Sequence, residues 1–147
     1  MKQLLYILIT FLILGCGTPK TTDAQAFLLD IRGIAAHAEV EVHPHLGRGK
    51  REEAVKIDGR SWPKYTYKDG AVEIVYVNSK ADWITITLNK GKFDKTALGI
   101  IGLPVAEPTE ASKNVLRWEN YEGIKEISLF PKADGTIDYF YLKVLTK

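Results

Sequence analysis

Two apolar segments near the C-terminus are separated by a short turn, and this arrangement constrains the fold more than any other part of the chain. Residues 124–130 and 136–144 are rich in β-branched and aromatic side chains, and Asp134-Gly135 lies between them. An Asp-Gly pair between two such segments favours a tight hairpin turn. Strands joined by a tight turn pair antiparallel. The pattern therefore predicts a β-hairpin at this end of the chain.

Further strand signals occur upstream of this hairpin. Residues 65–67 and 72–77 flank Lys68-Asp69-Gly70, residues 83–88 alternate apolar and polar side chains, and residues 54–57 form a short candidate strand. Strands outnumber helices, and the chain has no alternating βαβ rhythm. The sequence therefore predicts an α+β fold, with one antiparallel sheet of about five or six strands and a helix packed on one face.

Two helices are expected. Apolar residues recur at helical spacing over residues 24–36, with Thr22 or Asp23 as the N-cap, and this spacing predicts an N-terminal helix. Asp94 can cap a short second helix over residues 96–101. The first helix is the one expected to cover the sheet.

Residues 37–45 alternate strictly between apolar and polar side chains, which predicts a half-buried strand that ends near Pro44. Its polar face carries three histidines and two glutamates. Glu41, His43 and His45 are the best trio for a metal site, because imidazole and carboxylate ligands suit zinc, nickel or copper. The alternative is a face that is polar because it is solvated.

A basic and aromatic segment follows. Residues 46–68 contain seven Lys or Arg and three Asp or Glu, so this segment carries a local charge of +4. Such a segment can contact anionic lipid headgroups, or it can be a solvated loop. The aromatic residues Trp62, Tyr65, Tyr67 and Tyr76 are candidates for a platform that stacks on a sugar or a peptide, with core packing as the alternative.

Catalytic motifs are not recognisable in this sequence. It has no nucleophile elbow, no His-Glu-x-x-His pattern, no phosphate loop and no dinucleotide fingerprint. None of the four serines lies in a recognisable nucleophile context, so binding is expected over catalysis, and a small hydrolase is kept as an alternative. The formal net charge of +2 does not indicate a nucleic-acid partner.

The N-terminus carries an apolar segment, residues 4–14, that is too short to span a membrane and is typical of a signal-peptide core. The end of this segment and the two residues after it, Ile13-Leu14-Gly15-Cys16, resemble the lipobox of bacterial lipoproteins. This resemblance implies that diacylglycerol is attached to the Cys16 sulfur, that the chain is cut before Cys16, and that the new amine is acylated as well. Two or three acyl chains make such an anchor effectively permanent.

The resemblance implies a signal peptide at residues 1–15. The small and polar composition after Cys16 predicts a flexible tether at residues 16–23, and the remaining length fits a single domain at residues 24–147. Cys16 is the only cysteine, so no internal disulfide is expected. The residue after Cys16 is Gly17, and in this it resembles those lipoproteins of Gram-negative bacteria that are passed to the outer membrane. The sequence thus predicts a cell-envelope protein that is held to a membrane through acylated Cys16. Its small non-catalytic domain is expected to bind a ligand or an envelope protein partner.

Overall fold

A computed structural model describes residues 28–144. The predicted signal peptide, Cys16, the tether, the first four residues of the predicted N-terminal helix and residues 145–147 lie outside this range. The described residues form a mainly antiparallel β structure with short helical segments, which is broadly α+β.

Ten strands make up the β structure of residues 28–144. They are β1 (Lys50–Arg51), β2 (Val55–Ile57), β3 (Arg60–Trp62), β4 (Lys64–Tyr67), β5 (Val72–Val77), β6 (Lys80–Thr87), β7 (Glu110–Ala111), β8 (Leu116–Tyr121), β9 (Ile124–Pro131) and β10 (Ile137–Lys143). Eight of them form one antiparallel sheet in the order β1-β4-β5-β6-β10-β9-β8-β7, and β2 pairs with β3 in a separate two-stranded sheet.

The predicted hairpins are confirmed. The C-terminal segments pair as β9 and β10, and β4 pairs with β5 across the turn that contains Asp69 and Gly70. Both of these turn residues have positive φ, of 54° and 89°, which Asp and Gly accept more readily than other residues. The main sheet has eight strands instead of five or six. Two of the additional ones, β1 and β7, are two-residue edge strands that lack an alternating pattern.

One face of the large sheet forms the core. Apolar side chains from its five longest strands are fully or almost fully buried there, among them Ile74, Ile84, Phe140, Ile127 and Trp118. The helical segments add their own buried side chains to the same cluster. Antiparallel sheets commonly bury one face in this way and leave the other facing water.

Residues 37–45 do not form the predicted strand. Residues Glu39–Leu46 form an α-helix, α1. In a helix, Val40 and Val42 point in nearly opposite directions, and indeed Val40 is 71% exposed whereas Val42 is buried with Leu46, one turn further on. The free energy gained by burial of Val42 and Leu46 offsets the loss of the backbone hydrogen bond that Pro44 cannot donate.

Local contacts also favour this helix. The Glu41 carboxylate accepts a hydrogen bond from the backbone N–H of Ala38 at 2.8 Å, which caps the first turn. His37 with Glu41 and His43 with Glu39 form side-chain pairs four residues apart, a spacing that brings side chains together on a helix. The alternation along residues 37–45 therefore has a second, helical interpretation.

The predicted N-terminal helix is also wrong over its described part. Residues Ile31–Gly33 form only a single 3-10 turn, capped by a hydrogen bond from the Arg32 N–H to the Asp30 side chain. Gly33 packs directly against the imidazole of His45, and a Cβ at Gly33 would lie 2.4 Å from the ring carbon Cε1. The chain turns here to pack against α1, so the helix that helps to cover the sheet is α1, later in the chain.

The second predicted helix is present at the predicted position, and it is a 3-10 helix. It spans Lys95–Ile101 and begins where the Asp94 carboxylate accepts the Thr96 N–H at 2.8 Å. It ends at Gly102, which adopts the left-handed conformation with φ of 76°.

The second face of the large sheet carries partly exposed side chains, including a row of aromatic residues across β6, β10 and β9. Trp83 meets Tyr141 edge-on with ring centroids 6.2 Å apart. Phe130 stacks on Tyr139 with a centroid separation of 4.7 Å. These contacts lie on the face away from the core.

Candidate functional site

A cleft of about 670 Å³ lies at the edge of the large sheet, next to β1 and β4. We call it the basic cleft. It is formed by the end of α1, the loop into β1, strand β4 and the turn into β5. Its lining residues are Leu46, Arg48, Lys50, Glu52, Thr66, Tyr67, Lys68, Asp69 and Gly70.

The loop between α1 and β1 is positioned by Tyr67. Gly47, with φ of 82°, ends α1, and two residues later Gly49 packs against the Tyr67 ring. A Cβ at Gly49 would lie 2.6 Å from the ring carbon Cε1 of Tyr67, so only glycine allows this approach. Arg48 is thereby held at the rim of the cleft, between the two glycines.

Electrostatics make this cleft cationic. Lys50 and Glu52 form an ion pair at 3.2 Å, and the Thr66 hydroxyl donates a hydrogen bond to Glu52. The Lys50 ammonium, followed by the Thr66 hydroxyl, lowers the pKa of Glu52. Arg48 and Lys68 have no ion-pair partner within residues 28–144, and Asp69 is the other carboxylate of the cleft. Three cations therefore face two carboxylates.

The same segment of the chain carries further cations that do not line the cleft. Of the seven cations in residues 46–68, only Lys50 and Lys64 form ion pairs in the described part of the chain. Arg51, Lys56 and Arg60 remain available, in addition to the two unpaired cations of the cleft itself. The local charge of +4 in the sequence therefore corresponds to one continuous segment with five unpaired cations.

A second cleft, of about 350 Å³, lies between α1 and the strands β4 and β5. We call it the tyrosine cleft. Its lining is mostly apolar or aromatic, with a single carboxylate. The lining residues are Ala38, Glu39, Val40, Pro63, Tyr65, Tyr76 and Ser79.

Three tyrosines form a connected group at this second cleft. The rings of Tyr65 and Tyr76 are nearly perpendicular, at 87°, with centroids 5.6 Å apart. The hydroxyls of Tyr76 and Tyr67 share a buried hydrogen bond of 2.7 Å. Tyr67 thus links the tyrosine group to the basic cleft, which it also lines.

The Glu39 carboxylate faces this tyrosine group. A hydrogen bond to Glu39 is the main cause that raises the pKa of Tyr65. Burial is the main cause that raises the pKa of Tyr67 and of Tyr76, and the negative charge of Glu39 raises both further. All three hydroxyls therefore stay protonated at neutral pH.

The structure does not bring the predicted metal ligands together. On the helix, His43 contacts Glu39 at 3.3 Å, Glu41 contacts His37 at 3.6 Å, and His45 packs on Gly33. The shared face that a strand would give them does not exist, because residues two apart on a helix point in nearly opposite directions. Within residues 28–144 no three His, Cys, Asp or Glu side chains are grouped to hold a metal ion.

The predicted aromatic residues are divided between different places. Tyr65 and Tyr76 line the tyrosine cleft, and Tyr67 lines the basic cleft. Trp62 lines neither, since it lies in β3 opposite Val55 and is half-buried there.

Sequence reasoning assigned Glu39 only to a polar strand face and so missed its place at the tyrosine cleft. A signal was available, because the i,i+4 pair of Glu39 and His43 is a helix pattern.

Two of the four serines have hydrogen-bond partners that are not histidines. Ser128 is bonded to Arg117 and Glu126, and Ser112 holds a turn through the N–H of Val115. In the described part of the chain, which includes all four serines and all three histidines, no serine is hydrogen-bonded to a histidine.

Comparisons of the chain with protein families, with curated proteins and with solved structures found no match. Among residues 28–144, no helix has the length and apolar character needed to cross a membrane. The two clefts are therefore interpreted from their own residues.

Proposed function

We propose that this chain is a lipid-anchored cell-envelope protein whose folded part binds an anionic ligand in the basic cleft. The observation that carries this proposal is that Arg48 and Lys68, which line a cleft of about 670 Å³, have no ion-pair partner among residues 28–144. A cleft of this volume is large enough for a small-molecule ligand. Charge-assisted hydrogen bonds from Arg and Lys are the usual means of holding phosphate and carboxylate groups.

The packing around the cleft supports a preformed binding site over a chance cluster of surface charges. Tyr67 is buried and rigidly held by Tyr76, and it fixes the loop that carries Arg48. Thr66 and Lys50 add further polar groups to the lining. The ligand would therefore meet a preformed set of donors, which lowers the entropic cost of binding.

The anchor is proposed from the N-terminal residues. The apolar segment at residues 4–14 and the lipobox-like residues that end at Cys16 support attachment to a membrane through acyl chains. If the source is Gram-negative, Gly17 supports transfer to the outer membrane. The folded part would then meet either soluble anions or the anionic headgroups of the same envelope.

Binding is proposed over catalysis. Each histidine is engaged by a residue of α1 or by Gly33, and the tyrosine hydroxyls stay protonated. None of these groups lines the basic cleft except Tyr67. The residues that line the basic cleft include neither a histidine nor a serine, the residue types considered for a hydrolase.

The test is a titration of the mature lipidated protein, in an uncharged detergent, with inorganic pyrophosphate. We expect saturable binding, and we expect Arg48→Gln and Lys68→Gln each to weaken it about tenfold to a hundredfold, because a hydrogen bond to a charged group contributes about 1.5–3 kcal/mol. Vesicles of phosphatidylglycerol form a second arm that distinguishes a headgroup from a free anion.

The matched control is Lys113→Gln with Lys125→Gln, since both lysines are exposed and lie outside the cleft. Unchanged pyrophosphate binding is expected in this control. An equal loss in the control and in the cleft variants would show non-specific charge attraction and would refute the proposed site.

A further inference from the structure

The tyrosine cleft differs from the basic cleft in both lining and charge. Its walls are apolar side chains and two tyrosine rings set at 87° to each other. Its one carboxylate is Glu39, and no lysine or arginine pairs with Glu39 in the part of the chain that the structure describes. Arg51 is the cation whose field reaches Tyr65, and it lowers the pKa of that tyrosine only slightly against the effect of Glu39.

The combination of aromatic walls and one carboxylate selects for a cation. The face of an aromatic ring attracts positive charge, and the attraction is stronger where water is excluded. A bare metal ion does not suit the site, because hard cations need six or more oxygen ligands and this cleft offers one carboxylate. An organic cation, by contrast, brings its own apolar surface to the apolar walls.

The hydrogen-bonding groups of the cleft favour a methylated ammonium over a primary one. A primary ammonium has three donors that need acceptors. The Glu39 carboxylate is already engaged by His43 at 3.3 Å, and the Tyr76 hydroxyl is engaged by Tyr67. A methylated ammonium has no such requirement, because its methyl groups need contact and not hydrogen bonds.

We propose that the tyrosine cleft is a binding site for a quaternary ammonium group, held by the Tyr65 and Tyr76 rings and by the Glu39 carboxylate. This inference goes beyond the proposed function, since it concerns a second site for a ligand of opposite charge. Both rings line the cleft, and Tyr65 is the more exposed of the two, since Tyr76 is only 2% exposed. The volume of about 350 Å³ accommodates a choline-sized molecule.

The experiment titrates the mature lipidated protein in an uncharged detergent with choline, followed by the chemical shifts of its tyrosine rings. We expect saturable binding that shifts the Tyr65 resonances. Glu39→Gln should weaken binding about tenfold, a loss of about 1.4 kcal/mol. Tyr65→Leu should abolish it.

Two control variants and an uncharged choline analogue test whether binding depends on this cleft and on the charge of the ligand. Glu53→Gln removes an exposed carboxylate that does not line the cleft, and Tyr139→Leu removes a tyrosine from the other sheet face, so both should leave binding unchanged. The uncharged choline analogue 3,3-dimethylbutanol should bind at least tenfold more weakly. Equal binding of this analogue would overturn the proposal, because the site would then recognise only apolar shape.

Two further arms complete the test. The Arg48→Gln protein should keep full choline binding, so that failure of the basic cleft is distinguishable from failure of this site. Micelles of a phosphocholine detergent should compete with free choline if a lipid headgroup is an alternative source of the same group. Binding to the micelles without any binding of free choline would overturn the proposal.

Discussion

Lys143 in β10 forms an ion pair with Asp82 in β6 and at the same time lies over the indole of Trp83, with its Nζ 5.1 Å from the ring centroid. Asp82 is the additional residue at a bulge between β5 and β6. Its side chain is only 2% exposed, and its second oxygen, Oδ1, has no hydrogen-bond partner within the described residues. The buried carboxylate therefore depends on Lys143 for its neutralisation.

Removal of Lys143 is expected to destabilise the fold strongly. Lys143→Met leaves the Asp82 carboxylate buried without a partner, and this kind of change costs about 3–5 kcal/mol. Asp82→Asn should cost less, because the Lys143 side chain is 26% exposed and its ammonium can turn to water. Urea unfolding of both variants and of the double variant measures the coupling. Equal, small losses in both single variants would contradict this dependence.

Alkaline pH is expected to destabilise the protein through Tyr67 and Tyr76. Above about pH 10 the tyrosines of the unfolded chain lose their protons, whereas burial keeps these two protonated in the folded chain. The unfolded state then binds fewer protons than the folded state, so the free energy of unfolding falls as the pH rises, by at most about 1.4 kcal/mol per pH unit for each tyrosine.

The measurement is the free energy of unfolding between pH 9 and pH 11, roughly one unit on either side of the usual tyrosine pKa. Tyr76→Phe should give a shallower decline than the unsubstituted chain, because one of the two buried hydroxyls is gone. The same slope in both proteins would show that these tyrosines do not control alkaline stability.

Substitution of Gly49 should open the basic cleft. In Gly49→Ala the new methyl group would collide with the buried Tyr67 ring, so the loop that carries Arg48 must move away. We expect a stability loss of about 1–3 kcal/mol and weaker pyrophosphate binding. Gly99→Ala is the matched control, since a Cβ there meets no atom within 4 Å and should be tolerated. Comparable losses in the two variants would contradict the close packing of Gly49.

Cys16→Ser should release the protein from the membrane or leave its signal peptide uncut. The reason is that serine has no thiol to which diacylglycerol can be attached. Intact mass of the wild-type mature protein gives the direct check, with an increase that matches two or three acyl chains. An unmodified thiol at Cys16 would refute the proposed anchor.

The hairpins were predictable from sequence because their signals are local. Asp-Gly turns and adjoining alternating segments fix the pairing of β4 with β5 and of β9 with β10, and both pairings are present. The edge strand β1 was not predictable in this way. It has only two residues, and its pairing with β4 depends on where α1 directs the chain.

The candidate site was predictable only in its composition. The excess of cations in residues 46–68 was visible in the sequence. The cleft, however, exists because Gly49 packs on Tyr67, and no local sequence pattern predicts this contact. The period of two along residues 37–45 was misleading, since the same residues also satisfy helical i,i+4 spacing. Burial of Leu46 with Val42, exposure of Val40 and the Glu41 cap together favour the helical period.

The two short edge strands of the large sheet limit association between molecules that are crowded together. Each edge ends in a strand of only two residues, β1 on one side and β7 on the other. A neighbouring molecule could form very few ladder hydrogen bonds with either edge, and exposed Lys50, Arg51 and Glu110 would have to lose water in the process. Copies confined to a single surface at high density would thus resist stacking into fibrils, and each would remain a separate molecule.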